Sequence, residues 1–249
     1  MTHLVLAAYA LASIAGLQTA QPGIVVTYTL PPSVSLHEPI VATLTIQNLL
    51  PETVSVDLGW DRRERFLLVA RRPDGTIQRP KILPDGVGRR GRISIASNDR
   101  YSQQLVLDDW VSFDQTGEYQ VTIQLTGAVT AASTSVMRPP QETLSIRVGA
   151  YNEGVIRAKC DQLAPSVIEG RAEDHYYALQ VLRHFNDSAA IPCLRSILDR
   201  TDLADMVVFE ALKSIGTAET RRVLEDVAAG SSGERAQRVR NTLLTFKQQ

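Results

Sequence analysis

The sequence predicts two domains in succession: an antiparallel all-β sandwich, then an all-α domain of helix pairs. Three observations predict it. From about Gly23 to Gly149, apolar residues recur at every second position, the spacing of strands with one buried face. From about Tyr151 they recur at every third or fourth position, the spacing of amphipathic helices. The helical half also repeats itself at an interval of thirty residues. With 249 residues, 44% hydrophobic and 21% charged, the chain can build two cores, and its composition excludes disordered and membrane-embedded classes. The formal charge of −1, from 26 basic and 27 acidic residues, excludes a whole-protein field that would recruit nucleic acid.

The first twenty residues, "MTHLVLAAYALASIAGLQTA", hold a charge-free apolar run from Leu4 to Leu17. A spanning helix needs about 20 apolar residues, so this run is short for one and fits the core of a secretory signal peptide. Cleavage is expected after Ala20, with Ala15 as the alternative, leaving no transmembrane segment in the mature chain. Met-Thr-His ahead of the run carries no Lys or Arg, which keeps a buried N-terminal helix or an uncleaved anchor open. The expected divisions are 1–20 as signal, 21–150 as sandwich and 151–249 as helical domain.

Within the sandwich the runs "GIVVTYTL", "IVATLTIQN", "TVSVDLG", "FLLVARR", "TIQRPKI", "RISIAS", "SQQLVL", "EYQVTIQLTG" and "TLSIRVG" read as strands. "RPDG" at 72–75 and "LPDG" at 83–86 are turn signals between them. "AVTAASTSVMRPP" at 128–140 has no clear period and reads as a long loop. In "FDQTGEYQV", Asp114, Gly117, Tyr119 and Val121 follow the pattern of a tyrosine corner. On those residues this part resembles bacterial immunoglobulin-like domains. Val121 stands where antibody domains carry a half-cystine, so the resemblance is one of architecture.

Six helices are expected over "VIRAKCDQLAPSVIEG", "RAEDHYYALQVLRHF", "SAAIPCLRSILDR", "ADMVVFEALKSIG", "AETRRVLEDVAAG" and "GERAQRVRNTLLTF". Shifting "VLRHFNDSAAIPCLRSI" by thirty places lays Leu182 on Leu212, Phe185 on Ile215, Asn186 on Gly216 and Leu194 on Leu224. The segments "ALQVLRHFNDSAAIPCL" and "ALKSIGTAETRRVL" resemble HEAT-like repeats, which implies a short α-solenoid of about three helix pairs. Pro165 lies inside the first expected helix, a departure from a regular repeat.

Candidate chemistry is sparse. His184 and Cys193 lie nine residues apart and raise the question of a nucleophile and its base. No orienting Asn or Asp is arranged beside them, and the repeat puts Cys193 at a packing position. His184 then reads as a helix residue with one wet edge. Cys160 and Cys193 are the chain's two cysteines, about one repeat apart. In an oxidising compartment they are a candidate disulfide, with two separate buried thiols as the alternative. "GVGRRG" at 86–91 matches a dinucleotide-binding pattern, but a strand follows it where the motif needs a helix, so it reads as a hairpin loop.

Residues 60–100 carry eleven Arg and Lys against five acids. Arg62, Arg63, Arg65, Arg89, Arg90 and Arg92 are the candidate anion- or partner-binding residues, because clustered guanidinium groups suit phosphates and carboxylates. The plainer reading spreads them over strand exteriors, where they keep edges in solution. Trp60 and the "DDW" at 108–110 are either aromatic contacts or core. No metal-ligand spacing, nucleophile elbow or cofactor motif is present, so no catalytic, cofactor or metal residue is assigned.

The expected function is that of an exported, periplasmic or secreted, non-enzymatic binding or scaffolding protein of the cell envelope. Its helical surface would recognise a segment of an envelope or secreted protein. Recognition of an anionic envelope polymer by the arginine-rich segment is the alternative, and an enzyme whose site has no sequence signature is a third reading.

Overall fold

A computed structural model of the chain describes residues 23–80, 91–131, 134–137, 139–170 and 172–246. The expected signal at 1–20 therefore lies outside the described residues, as do Arg89 and Arg90. Among the described residues, no helix is long and apolar enough to cross a membrane.

The strands are β1 (Ile24–Thr29), β2 (Ser33–Ser35), β3 (Val41–Asn48), β4 (Val54–Asp57), β5 (Phe66–Arg71), β6 (Ile77–Gln78), β7 (Arg92–Ile95), β8 (Arg100–Val106), β9 (Gly117–Leu125), β10 (Val129–Ala131), β11 (Thr134–Met137) and β12 (Glu142–Gly149). They form three hydrogen-bonded sheets, ordered β1-β3-β8, β11-β10-β4-β7 and β2-β12-β9-β5-β6. All pairings are antiparallel except β2 with β12. The alternation read in the sequence is the alternation of burial. In β3, Ala42, Leu44 and Ile46 face a common core with Tyr119, Val121 and Ile123 of β9, and each is fully buried. Each Leu or Ile so removed from water contributes about 1.5–3 kcal/mol.

Tyr119 fixes the corner that the sequence signalled. Its hydroxyl accepts a hydrogen bond from the Gln115 N–H at 3.0 Å, and its ring packs 5.1 Å from that of Phe113. Asn48, also fully buried, does comparable work at the other end of β3. Its amide donates to the carbonyls of Glu52, Ile95 and Ala96 at 2.8–3.0 Å, and its Oδ1 accepts from the Leu50 N–H at 3.0 Å.

Two expectations change here. Within the segment expected as a loop, β10 pairs with β11 and is added to β4. Its signal is weak because Val129, a buried anchor, precedes a run of Ala, Ser and Thr. The strand expected over "TIQRPKI" shrinks to Ile77–Gln78 where described. Gly91, the last glycine of "GVGRRG", leads into β7 as expected. A Cβ there would lie 1.9 Å from the Gly59 carbonyl oxygen, so the position demands glycine for close backbone approach.

The second part holds six helices: α1 (Glu153–Glu169), α2 (Ala172–Leu182), α3 (Ile191–Arg200), α4 (Asp205–Ile215), α5 (Ala218–Gly230) and α6 (Gly233–Leu244). Local chemistry sets their ends. Asn152 caps α1 and Thr217 caps α5 through their side-chain oxygens, while Gly216 ends α4 at φ 69°, a left-handed turn that favours glycine. Asp187 caps a 3-10 turn at Ser188–Ala190, and Pro192 sits in the first turn of α3, where a missing N–H costs nothing. Pro165 is accommodated within a continuous α1. Helix α1 packs on α2, α3 on α4, α4 on α5 and α5 on α6, and so do α1 with α3, α2 with α4, α3 with α5 and α4 with α6.

Cys160 and Cys193 are joined in a disulfide that staples α1 to α3, with Cα atoms 6.1 Å apart. Both residues are buried within the helical core. The sulfur of Cys193 is therefore bonded and unavailable as a nucleophile.

Candidate functional site

The two parts meet on the outer face of the β1-β3-β8 sheet. Val41 and Val106, cross-strand partners at its end, point away from the sandwich core and pack into the helical one. Val106 is buried even though its neighbour Leu105 fills the opposite face. That apolar pair breaks the period of two, and it is the sequence signal that something covers this strand end.

Among the described residues, three of the polar connections around this contact bear on the site. The Asn152 N–H donates to the Ser35 hydroxyl at 2.9 Å, fixing the junction between the parts. Asp187 accepts from the Tyr151 hydroxyl at 3.0 Å and from the Ala189 N–H at 2.9 Å, and its second oxygen lies 3.0 Å from His37 Nδ1. Burial pushes the Asp187 carboxyl up, but these hydrogen bonds outweigh it and hold the group below its ordinary range. His37 adopts φ 70°, a left-handed conformation uncommon for a side chain of its size.

The third connection is the most buried. Asp109, in a 3-10 turn at Leu107–Asp109, receives Arg63 Nη1 on one oxygen and lies 2.8 Å from His184 Nε2 through the other. Arg63 also donates to Gln180 Oε1 at 3.0 Å. Side-chain exposure is 8% for Arg63 and 2% for Asp109. Burial raises the Asp109 carboxyl, yet the His184 hydrogen bond and the Arg63 charge prevail and keep it below its ordinary value. His184 lies just beyond α2, so its edge is turned to this carboxylate and not simply to water.

Beside this cluster opens a cleft of about 500 Å³ between the sheet and α2. Its sheet side is formed by Thr43 of β3 and by Ser102 and Gln104 of β8, and Tyr176, Tyr177 and Gln180 of α2 face them. Arg62 and Tyr101 form one end. The Arg62 guanidinium lies 5.9 Å from the Tyr101 ring centroid, and Gln103 links the two by accepting from Tyr101 Oη at 2.8 Å and donating to the Arg62 carbonyl at 2.9 Å. Arg62 takes φ 55°, a left-handed conformation that costs an L residue roughly 1–2 kcal/mol. Glu173 and Asp174 stand exposed at the mouth.

Of the six arginines singled out in the sequence, the four among the described residues differ in setting. Arg63 is buried, and its charge is matched by Asp109, as a desolvated guanidinium requires. Arg62 lines the cleft. Arg65 is exposed and 4.0 Å from Asp57, and Arg92 is exposed at the start of β7. Trp60 is 59% exposed, whereas Trp110 is core and meets Phe66 edge-on at 6.5 Å. Among the described residues, no cluster of His, Cys, Asp or Glu could hold a metal ion. The cleft itself had no signal in the sequence, since Thr43, Gln104 and Tyr177 come from elements far apart in the chain.

No family model matches the sequence, and no curated protein matches it. Solved structures with some likeness include the CARDB domain of a Pyrococcus furiosus protein, at 12% identity and TM-score 0.27, over 50% of this chain and 86% of that one. The PapD-like domain 7 of human CEP192 is 11% identical at TM-score 0.32, over 59% and 100%. A Listeria innocua β-glucosidase is 12% identical at TM-score 0.27, over 51% of this chain and 16% of that one.

Proposed function

We propose that the chain is an exported, non-enzymatic binding and scaffolding protein of the cell envelope. An immunoglobulin-like sandwich positions a short HEAT-like helical domain, which holds a segment of a protein partner. The observation that carries this reading is the buried Arg63–Asp109–His184 connection. It fixes one domain on the other, as a scaffold requires and as independently tethered domains do not. The repeated contact between each helix and the next but one supports HEAT-like stacking, and the bond from Gln115 to Tyr119 supports the immunoglobulin-like assignment. On the helical domain, Leu203 and Met206 stand 72% and 58% exposed and one turn apart, offering apolar contact to a partner.

The test is cross-linking in the native envelope followed by mapping of the linked peptides, with the parent chain and a Leu203→Glu/Met206→Glu variant. The proposal expects a protein linked to the helical domain and lost in the variant. Links confined to the sandwich, unchanged in the variant and abolished by salt, would instead favour the anionic polymer and the exposed Arg65 and Arg92.

A further inference from the structure

We infer that the cleft between β8 and α2 is a binding site for a neutral oligosaccharide, a ligand separate from the protein partner proposed above. Its chemistry points there. Its volume of about 500 Å³ lies within the roughly 300–1,000 Å³ usual for small-ligand sites. Among its lining residues only Val106 is aliphatic, and aromatic rings of Tyr101, Tyr176 and Tyr177 stand beside it. Amides and hydroxyls stand beside the tyrosine rings, from Gln103, Gln104, Gln180, Thr43 and Ser102. Such groups both donate and accept, as the hydroxyls of a sugar do.

Three of the polar side chains in the cleft have no hydrogen-bond partner among the described residues. Thr43 and Gln104 are cross-strand partners on the sheet wall, and Tyr177 stands on the facing helix. Burial raises the Tyr177 hydroxyl above its ordinary pKa, with no hydrogen bond acting on it, so it stays protonated and able to donate. A ligand entering here would complete hydrogen bonds that the fold leaves open.

The rings of Tyr101, Tyr176 and Tyr177 add flat faces whose negative quadrupole suits the C–H bonds of a sugar ring. Tyr101 is held by its bond to Gln103, so its pose is set before a ligand arrives. Charge argues against an anionic ligand. Arg63 and Asp109 cancel, and the two acids Glu173 and Asp174 line the cleft with Arg62. A protein that holds a partner with its helical domain would thereby be tethered to a glycan by its domain boundary.

The experiment uses an array of neutral and anionic oligosaccharides, followed by calorimetry on the best binder with the parent chain, Gln104→Ala and Tyr177→Phe. Thermal melts of both variants confirm folding; Gln104 is exposed and Tyr177→Phe keeps the ring. The expected result is binding of neutral chains with little salt dependence. Each variant should weaken it roughly three- to tenfold, the effect of one lost hydrogen bond. Binding of anionic chains alone, binding indifferent to both variants, or no binding to any array member would overturn the inference. The two proposals fail separately: the Leu203→Glu/Met206→Glu variant should keep sugar binding, and the cleft variants should keep the protein cross-link.

Discussion

His184 Nε2 lies 2.8 Å from Asp109 Oδ1, between the helical part and the strand part and 75 positions apart in the chain. The other Asp109 oxygen takes Arg63. One carboxylate therefore joins two segments of the sandwich to the end of α2. Removing it would strand a buried guanidinium, and breaking such a pair from one side costs about 3–5 kcal/mol. Asp109→Ala should lower stability by that order in urea titration. The double change Arg63→Met/Asp109→Leu should cost less than the single one, because it leaves no uncompensated charge. A double variant at least as unstable as Asp109→Ala would show that the charges matter for more than each other.

The same carboxylate sets the response to acid. Asp109 and Asp187, both at the domain boundary, are held below the ordinary carboxylate range. The folded protein thus takes up these protons less readily than the unfolded chain. Their contribution is complete above the unfolded value of about 3.9 and is lost as pH falls through the folded value. Stability should be flat in this respect near neutrality and decline below about pH 4. His184→Ala removes a hydrogen bond that lowers Asp109, so its acid transition should begin at higher pH. Denaturant titrations across the acid range measure both midpoints.

How much of this was legible in the sequence follows from how local each signal is. The strands carry their own alternation, as Ala42, Leu44 and Ile46 show, and the helices carry caps and period together. The disulfide needed only two cysteines one repeat apart. By contrast, β10 and β11 run through Ala, Ser and Thr without a clear period, so the hairpin reads as loop. His184 and Asp109, or Tyr177 and Gln104, meet only because Val41 and Val106 seat the helices on the sheet. Only the consecutive Leu105 and Val106 hinted at that covering.

Cys160 and Cys193 close a loop of sequence separation 33. In the chain-entropy model, a loop of this size is worth about 3–4 kcal/mol. Reduction, or Cys160→Ser with Cys193→Ser, should lower the melting point of the helical domain and leave the sandwich intact. Hydrogen exchange should rise in α1 and α3 before it rises in β9. Equal loss in both domains would mean that they unfold as one cooperative unit.

Asn48 offers a test of the sandwich alone. Replacement by Ala would leave the carbonyls of Ile95 and Ala96 without this donor and the Leu50 N–H without its acceptor. A buried polar group left unsatisfied costs about 1–3 kcal/mol, and the loss should appear in the β3–β7 region. Asn48→Asp keeps the acceptor but not the donors, so it should rescue little. Full rescue by Asp would place the stabilisation in the Leu50 bond alone.

The end of the helical domain depends on charge more than on apolar contact. The buried residues of α6 are Ala236, Val239 and Thr242, a thin surface for twelve residues. Asp205, 1% exposed at the start of α4, accepts from Arg235 and Arg238 of α6 at 3.0–3.2 Å. Arg235 also donates to the Leu198 carbonyl at 2.7 Å, tying α6 to the end of α3. Hydrogen bonds to charged groups contribute about 1.5–3 kcal/mol each, comparable with the small apolar gain of this helix. Asp205→Ala should therefore release α6 while α1 to α4 stay folded. The expected signature is fast hydrogen exchange over 233–244 with little change in the main melting transition. Asp205→Asn keeps one acceptor oxygen and should give an intermediate rate. Protection of α6 unchanged in both variants would show that Val239 and its neighbours hold the helix without the ion pairs.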